Sequence, residues 1–329
     1  MITRIRRNRK YPWMRDLFAN HEIKAKDLIL PIFLIEGINI EQKIDSLPGV
    51  SRFSVDLAIK EIQTAISLGI KAIILFPVIE QGLKSNDAIE ATNENNLICR
   101  AVKAFKNEYG DKIGIICDVA LDPYTSHGHD GIIDNEGYVL NDETVEILCE
   151  QALCLAKAGC HVIAPSDMMD GRVAAIREIL DRNGFINVSI MSYAAKYASS
   201  FYNPFRNAVG SDSNLKKADK KGYQLDYRNN KEHFREVYQD EKEGCDMIII
   251  KPAMLYLDIL QSVSNNINLP IIAYQVSAEY AMLKFASLNN SFDFMDAMIE
   301  SLTSCKRAGA DAIICYAAIE VAKYVNKVI

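Results

Sequence analysis

Along this chain, short wholly apolar runs alternate with longer stretches whose apolar residues fall at helical spacing. Eight of the runs read as strands: Leu28 to Leu34, Ala72 to Val78, Ile113 to Ala120, Val162 to Met168, Val188 to Ala194, Met247 to Ala253, Pro270 to Val276 and Ala312 to Ala318. A strand that is apolar throughout, rather than at every second position, has both faces covered. Amphipathic segments such as Asp56 to Ser67, Asp142 to Lys157 and Phe294 to Lys306 supply that cover. Four strands are entered through one repeated pattern, a helix-like segment closing on glycine: SLGIKAIILF, KAGCHVIAPS, KEGCDMIIIK and RAGADAIICY. Gly69, Gly159, Gly244 and Gly309 are therefore expected to end helices in the left-handed conformation that glycine adopts without steric cost.

Eight such β/α units predict a closed (β/α)8 TIM barrel ahead of an open doubly wound sheet. In that fold the chemistry sits at the carboxyl ends of the strands. There the chain offers Asp118 and Asp122 after the third strand, Ser166 and Asp167 after the fourth, Lys196 after the fifth and Lys251 after the sixth. Gln275 and Ser277 follow the seventh, and Tyr316 lies in the eighth. The two lysines are the sharpest signal. An ammonium at the mouth of an apolar barrel is poorly solvated, and a second one nearby lowers its pKa further. A neutral amine attacks carbonyls, so the pair is a candidate Schiff-base site.

Composition narrows the class. The 329 residues are 49% hydrophobic, ample for one large domain, and no apolar stretch approaches the ~20 residues of a membrane helix. The basic start of the chain is not followed by an apolar signal region, so a cytoplasmic protein is expected. Eight scattered cysteines without CxxC spacing fit buried reduced thiols. A net charge of −6 and the lack of a glycine-rich phosphate loop argue against nucleic-acid binding.

Three irregular regions remain. Residues 1–27, basic at first and carrying the only tryptophan, Trp13, read as an arm that packs on a neighbouring subunit, ahead of a nucleic-acid arm. Residues 28–329 form the barrel, interrupted at about 203–230 by a polar stretch rich in lysine and arginine. A connection that long is commonly a lid, and its cations Arg206, Lys216, Lys217, Lys220 and Lys221 suit an anionic substrate. The segment DVALDPYTSHGHDG, Asp118 to Gly131, fits a metal site or a hydrogen-bonded polar turn on spacing alone. No HxH follows the first strand, which weakens a zinc hydrolase reading. A class I aldolase would need phosphate-binding glycines after the last two strands, and AYQVSAEY and IICYAAIE supply none.

The motifs LPIF, LPGV, YTSHGH, IAPSDMMDG, IMSYAAKYASSFYNPFR, KPAMLYLDI, AYQVSAEYAM and KRAGAD run almost end to end. Through them the chain resembles the porphobilinogen synthase family, also called 5-aminolaevulinate dehydratases, lyases of tetrapyrrole and haem synthesis. The resemblance implies condensation of two 5-aminolaevulinate molecules to porphobilinogen with loss of two waters. It implies Schiff bases on Lys251 and Lys196, a first substrate carboxylate held by Ser277 and Tyr316, and a second held by Arg206, Lys220 or Lys221, and Gln224. Lys220 stands where arginine is commoner in the family, keeping the charge without the bidentate fork. It further implies a homo-octamer whose N-terminal arms embrace neighbouring barrels.

Metal use departs from the cysteine-type members. Where those carry three cysteines, this chain has Ala120, Asp122 and Asp130. Carboxylates favour magnesium over zinc, so catalytic zinc is not expected, and whether Asp122 and Asp130 hold any ion stays open. Glu236, in KEHFREVYQDEKEG, matches the family carboxylate that serves an allosteric magnesium through its waters.

Overall fold

In the computed structural model, which describes residues 3–210 and 219–327, the eight expected strands close into a barrel. They are β1 (Leu28–Leu34), β4 (Ala72–Pro77), β5 (Gly114–Val119), β6 (Val162–Pro165), β7 (Ser189–Lys196), β8 (Met247–Lys251), β9 (Ile271–Tyr274) and β10 (Ala312–Ile314). Each pairs in parallel with the next, and β10 returns to β1 through Leu28 opposite Ile313 and Ile29 opposite Ile314. β1 is buried along its whole length, the cover on both faces that its unbroken apolar run requires.

Two strands escape the sequence reading. β2 (Glu41–Lys43) and β3 (Ser51–Phe53) form an antiparallel hairpin hung on the edge of β1. Three residues a side, all polar in β2 and with Phe53 alone apolar in β3, carry no strand signal. The hairpin still has a job. Arg52 donates from Nε to the carbonyl of Ala208 and from Nη2 to that of Asn207, both at 2.6 Å, anchoring the segment that comes after β7.

Among the described residues the α-helices, in chain order, are α1 (Pro12–Leu17), α2 (Val55–Ser67), α3 (Leu97–Tyr109), α4 (Asn141–Ala158), α5 (Arg172–Arg182), α6 (Asn203–Val209), α7 (Glu232–Lys242), α8 (Leu257–Ser264), α9 (Ser277–Leu288), α10 (Phe294–Arg307) and α11 (Ala318–Lys327). Gly309 follows α10 with φ of 110°, and a β-carbon there would sit 2.4 Å from that of Ser264. Glycine is thus required twice at this corner, for the backbone and for the close approach.

Residues 3–27 hold a 3-10 turn (Ile5–Arg9) and α1, neither with a buried residue, and then a second 3-10 turn (Ala25–Asp27) where Ile23, Ala25 and Asp27 are buried against the barrel. Trp13, Leu17 and Phe18 are more than half exposed. None of the helices among the described residues is long and apolar enough to cross a membrane. All eight cysteines are free, seven of them buried.

Candidate active site

Parallel pairing of β7 with β8, shifted in register between Ser192 and Ala195, sets the two lysines side by side: Lys196 closes β7, Lys251 closes β8, and the two residues are register partners. Both are buried, at 5% and 6% exposure. Both ammonium nitrogens face the ring of Tyr193, at 5.9 and 5.1 Å from its centroid.

Their surroundings differ. Lys196 Nζ donates to the carbonyl of Ser166 and lies 3.5 Å from Asp130 Oδ2. Lys251 Nζ has neither a hydrogen bond nor an ion pair among the described residues and is ringed by Tyr193, Tyr202, Phe205 and Tyr274 at 4.5–5.1 Å. Burial first, and the Lys196 ammonium second, lower the Lys251 pKa to about 7. Near neutral pH a large fraction of that amine is therefore free to attack a carbonyl.

Three aspartates complete the floor. Asp118, on β5, accepts from Ser166 Oγ at 3.2 Å, and burial raises it to about 6 against the pull of both lysines. Asp122 and Asp130 share the Lys220 ammonium, at 3.1 and 2.9 Å. Burial would raise the Asp130 carboxyl, but Lys196 and Lys220 together hold it well below the usual range. Gln224 Nε2 also donates to Asp130, at 3.2 Å. The cation between the two aspartates is thus a lysine. With that ammonium in place the pair does not fit a metal ion, and no cluster of three or more metal-ligating side chains exists among the described residues.

Lys221, next to Lys220, points outward. It pairs with Asp219 at 3.4 Å, is largely exposed, and lines a cavity of about 380 Å³ shared with His129, Tyr138 and Glu236. That cavity is separate from the lysine pair. Arg206 lies at the surface with Nη1 3.4 Å from Asn203 Oδ1. Ser277 Oγ accepts from Phe205 N–H at 3.0 Å and donates to the Phe201 carbonyl at 3.1 Å. The Tyr316 hydroxyl meets that of Tyr274 at 3.1 Å. Lys216 and Lys217 lie outside the described residues.

Two polar residues expected at the mouth turn away from it. Asp167 accepts from Met169 N–H at 2.7 Å and faces Arg172 Nε at 3.8 Å. Gln275 donates to Ser301 Oγ at 3.0 Å behind the barrel wall. Arg172 also forks onto Asp240 at 2.7 and 3.0 Å in a buried pair, and Glu236 lies one turn before Asp240 on α7. Burial raises Glu236, with Asp240, Asp170 and Glu232 adding to the effect against Arg172. Glu236 thus lies among other carboxylates, none of which joins it in a group of three or more metal-ligating side chains among the described residues.

Sequence reasoning missed the rings around Lys251 and the role of Glu279, whereas His129, in the segment read as a metal site or a hydrogen-bonded turn, is hydrogen-bonded. His129 Nδ1 meets the Tyr223 hydroxyl at 3.3 Å, tying the strand-three loop to the segment before Gln224. Glu279 accepts from Met254 and Val276 N–H, both at 2.9 Å, pinning the turn after Lys251 to the start of α9. Glu279 is the third residue of α9 and reaches back to the N-cap N–H, but the N-cap is Val276, which has no side-chain acceptor, so the sequence carries no capping-box signature here.

The model of the delta-aminolevulinic acid dehydratase family matches residues 2–324. The delta-aminolevulinic acid dehydratase of Bradyrhizobium diazoefficiens is 52% identical over 323 residues, 98% of this chain and 91% of that protein. The chloroplastic one of Glycine max is 47% identical over 321 residues, 97% of this chain and 77% of that protein. Among solved structures, delta-aminolevulinic acid dehydratase (porphobilinogen synthase) from Toxoplasma gondii in complex with porphobilinogen superposes with a TM-score of 0.96. It is 46% identical and covers 98% of this chain and 92% of that one.

Proposed function

Because the chain belongs to the delta-aminolevulinic acid dehydratase family, we propose that it joins two molecules of 5-aminolaevulinate into porphobilinogen with release of two waters. The observation that carries the reading is the register pair Lys196 and Lys251, with the second amine buried, without a hydrogen bond or ion pair among the described residues, and shifted to about 7. Lys251 captures one substrate ketone and Lys196 the other. Covalent capture orients two identical molecules differently and turns a bimolecular encounter into an oriented one.

Asp118, at about 6 and hydrogen-bonded by Ser166, can accept and return protons between the two amines near neutral pH. Ser277 and Tyr316 hold the carboxylate of the Lys251-bound substrate. Arg206, Lys220 and Gln224 serve the other. Of the two lysines before Gln224, the role is given to Lys220, which is buried against Asp122 and Asp130, ahead of Lys221, which is largely exposed and pairs with Asp219.

Magnesium is proposed to act away from the chemistry, through water held by Glu236, and catalytic zinc has no part. The exposed Trp13, Leu17 and Phe18 support an intersubunit role for residues 1–27 and a homo-octameric assembly. The same reading makes the protein cytoplasmic. Incubating it with 5-aminolaevulinate and applying a colour test for pyrrole checks the reaction. Borohydride trapping followed by peptide mass spectrometry checks the residues: an adduct on Lys251 is expected, Lys251→Ala should lose adduct and product, and Lys251→Arg should not rescue, because guanidinium stays protonated. Adducts confined to surface lysines would defeat the assignment.

A further inference from the structure

We infer that the four rings around Lys251 form a cage that favours the protonated Schiff base over the protonated amine, and so take part in the chemical step. The inference rests on the assignment of Lys251 as a Schiff-base former. Tyr193 (5.1 Å), Tyr202 (5.1 Å), Phe205 (5.0 Å) and Tyr274 (4.5 Å) present their rings to Nζ. Tyr193 and Tyr274 come from β7 and β9, which flank the lysine strand; Tyr202 and Phe205 come from the turn and helix after β7.

The rings are held in place. Tyr274 meets the Tyr316 hydroxyl, Tyr202 donates to the Lys251 carbonyl at 3.1 Å, and Phe205 packs edge-on to Phe76 with centroids 5.0 Å apart. Lys196 has no such enclosure. Among the described residues its nitrogen faces the ring of Tyr193 alone and is anchored on a carbonyl and a carboxylate.

The two cations that nitrogen can become make different demands. An ammonium is a compact charge with three N–H donors, each needing an acceptor. This enclosure offers none among the described residues, so protonation of the free amine is penalised. Schiff-base formation proceeds as the Nζ lone pair bonds the ketone carbon and the carbonyl pair moves to oxygen. That oxygen takes one proton from nitrogen and one from solvent or a carboxyl group, then leaves as water. The product is an iminium with a single N–H and a positive charge spread onto carbon. Ring faces are negative and need no directional donor, so they suit this ion better than the ammonium. The same walls thus free the amine and keep its adduct electrophilic.

Fluorination tests this without changing shape. Phe205 would be replaced, by suppressor-tRNA incorporation, with 4-fluoro-, 3,5-difluoro- and 3,4,5-trifluorophenylalanine, each of which weakens the ring's negative face further. The protein would be incubated with 5-aminolaevulinate and cyanoborohydride, which reduces the iminium, and the Lys251 adduct followed by mass spectrometry against pH. The other ionisable groups around Nζ stay constant along the series: Lys196 and Tyr193 on β7, Asp118 on β5, Asp122 and Asp130 in the loop after β5, and Tyr202 and Tyr274. The pH at which trapping falls by half should drop stepwise, with about tenfold less adduct for the trifluoro ring at fixed alkaline pH, the effect of weakening one desolvated cation–π contact. Superimposable curves across the series would overturn the cage, leaving Phe205 as an apolar wall. Absence of any Lys251 adduct in the unmodified protein would instead overturn the Schiff-base assignment beneath it.

Discussion

Replacing Lys251 with methionine should abolish catalysis and make the protein more stable. In the unfolded chain lysine keeps its proton up to about pH 10.5, whereas in the barrel burial, with the Lys196 ammonium, lowers that to about 7. Between those values the unfolded state binds more protons than the folded one, so stability rises with pH. At 1.36 kcal/mol per pKa unit, the folded state is weakened by roughly 4 kcal/mol at pH 7 and roughly 2 kcal/mol at pH 9. Methionine has a similar length and adapts to an aromatic surround, so it removes the proton penalty without opening a cavity. Melting curves of both proteins, at one concentration because assembly shifts the midpoint, should show Lys251→Met several degrees higher at pH 7. The gap should be about halved at pH 9. A variant no more stable than wild type at pH 7, or a gap that widens with pH, would refute the claim that this amine is held in a site hostile to its charge.

Other consequences concern the neighbouring charges, the arm and the metal. Lys220→Met leaves Asp122 and Asp130 without their shared cation and should cost about 3 kcal/mol of stability at pH 7, as breaking a buried pair does, with a raised KM; Lys220→Arg should recover most of both in urea titrations and steady-state assays. The Asp130 share of that loss follows its depressed pKa: it is present above the unfolded value near pH 4 and fades in wild type as pH falls below it. Deleting residues 1–20 should lower particle size and activity together, and light scattering of an unchanged, fully active particle would remove the intersubunit role of the arm. Stripped enzyme should work without added zinc and respond to magnesium; strict zinc dependence, or a Glu236→Ala variant that responds as wild type does, would count against the assignments of the aspartate loop and of Glu236 respectively.

How far the sequence spoke depended on whether the signal was local. β1 is read at its observed bounds, Leu28 and Leu34, because a strand covered on both faces is a continuous apolar run. The four glycines before strands are found at φ of 87–110° because one turn chemistry repeats. The β2–β3 hairpin left no pattern, being three residues a side and partly exposed. At the site, the strand-end position of Lys196 and Lys251 was legible, but the difference between them was not. Tyr193 is near in sequence to Lys196 yet lies closer to Lys251, and Tyr274 arrives from the next strand. Asp167 and Gln275 show the converse: strand-end polarity was legible, and the direction of the side chain was settled by Arg172 and Ser301.

Charge balance ties the aspartate loop to the segment that carries Lys220. Asp122 and Asp130 bring two negative charges into a buried corner, and Lys220 and Lys196 bring two positive ones within 3.5 Å. Carboxylates buried at this depth require compensation, and here they have it to the full without an ion. A divalent cation added to this arrangement would leave an excess of two positive charges in a low-dielectric site, so it could enter only as Lys220 left. The counterion of the two aspartates is therefore a side chain of the protein, Lys220, carried on the same segment as Gln224, which also donates to Asp130. Because Asp130 in turn lies 3.5 Å from the Lys196 ammonium, that segment helps to set the charge environment of Lys196, although it lies well downstream of it in the chain.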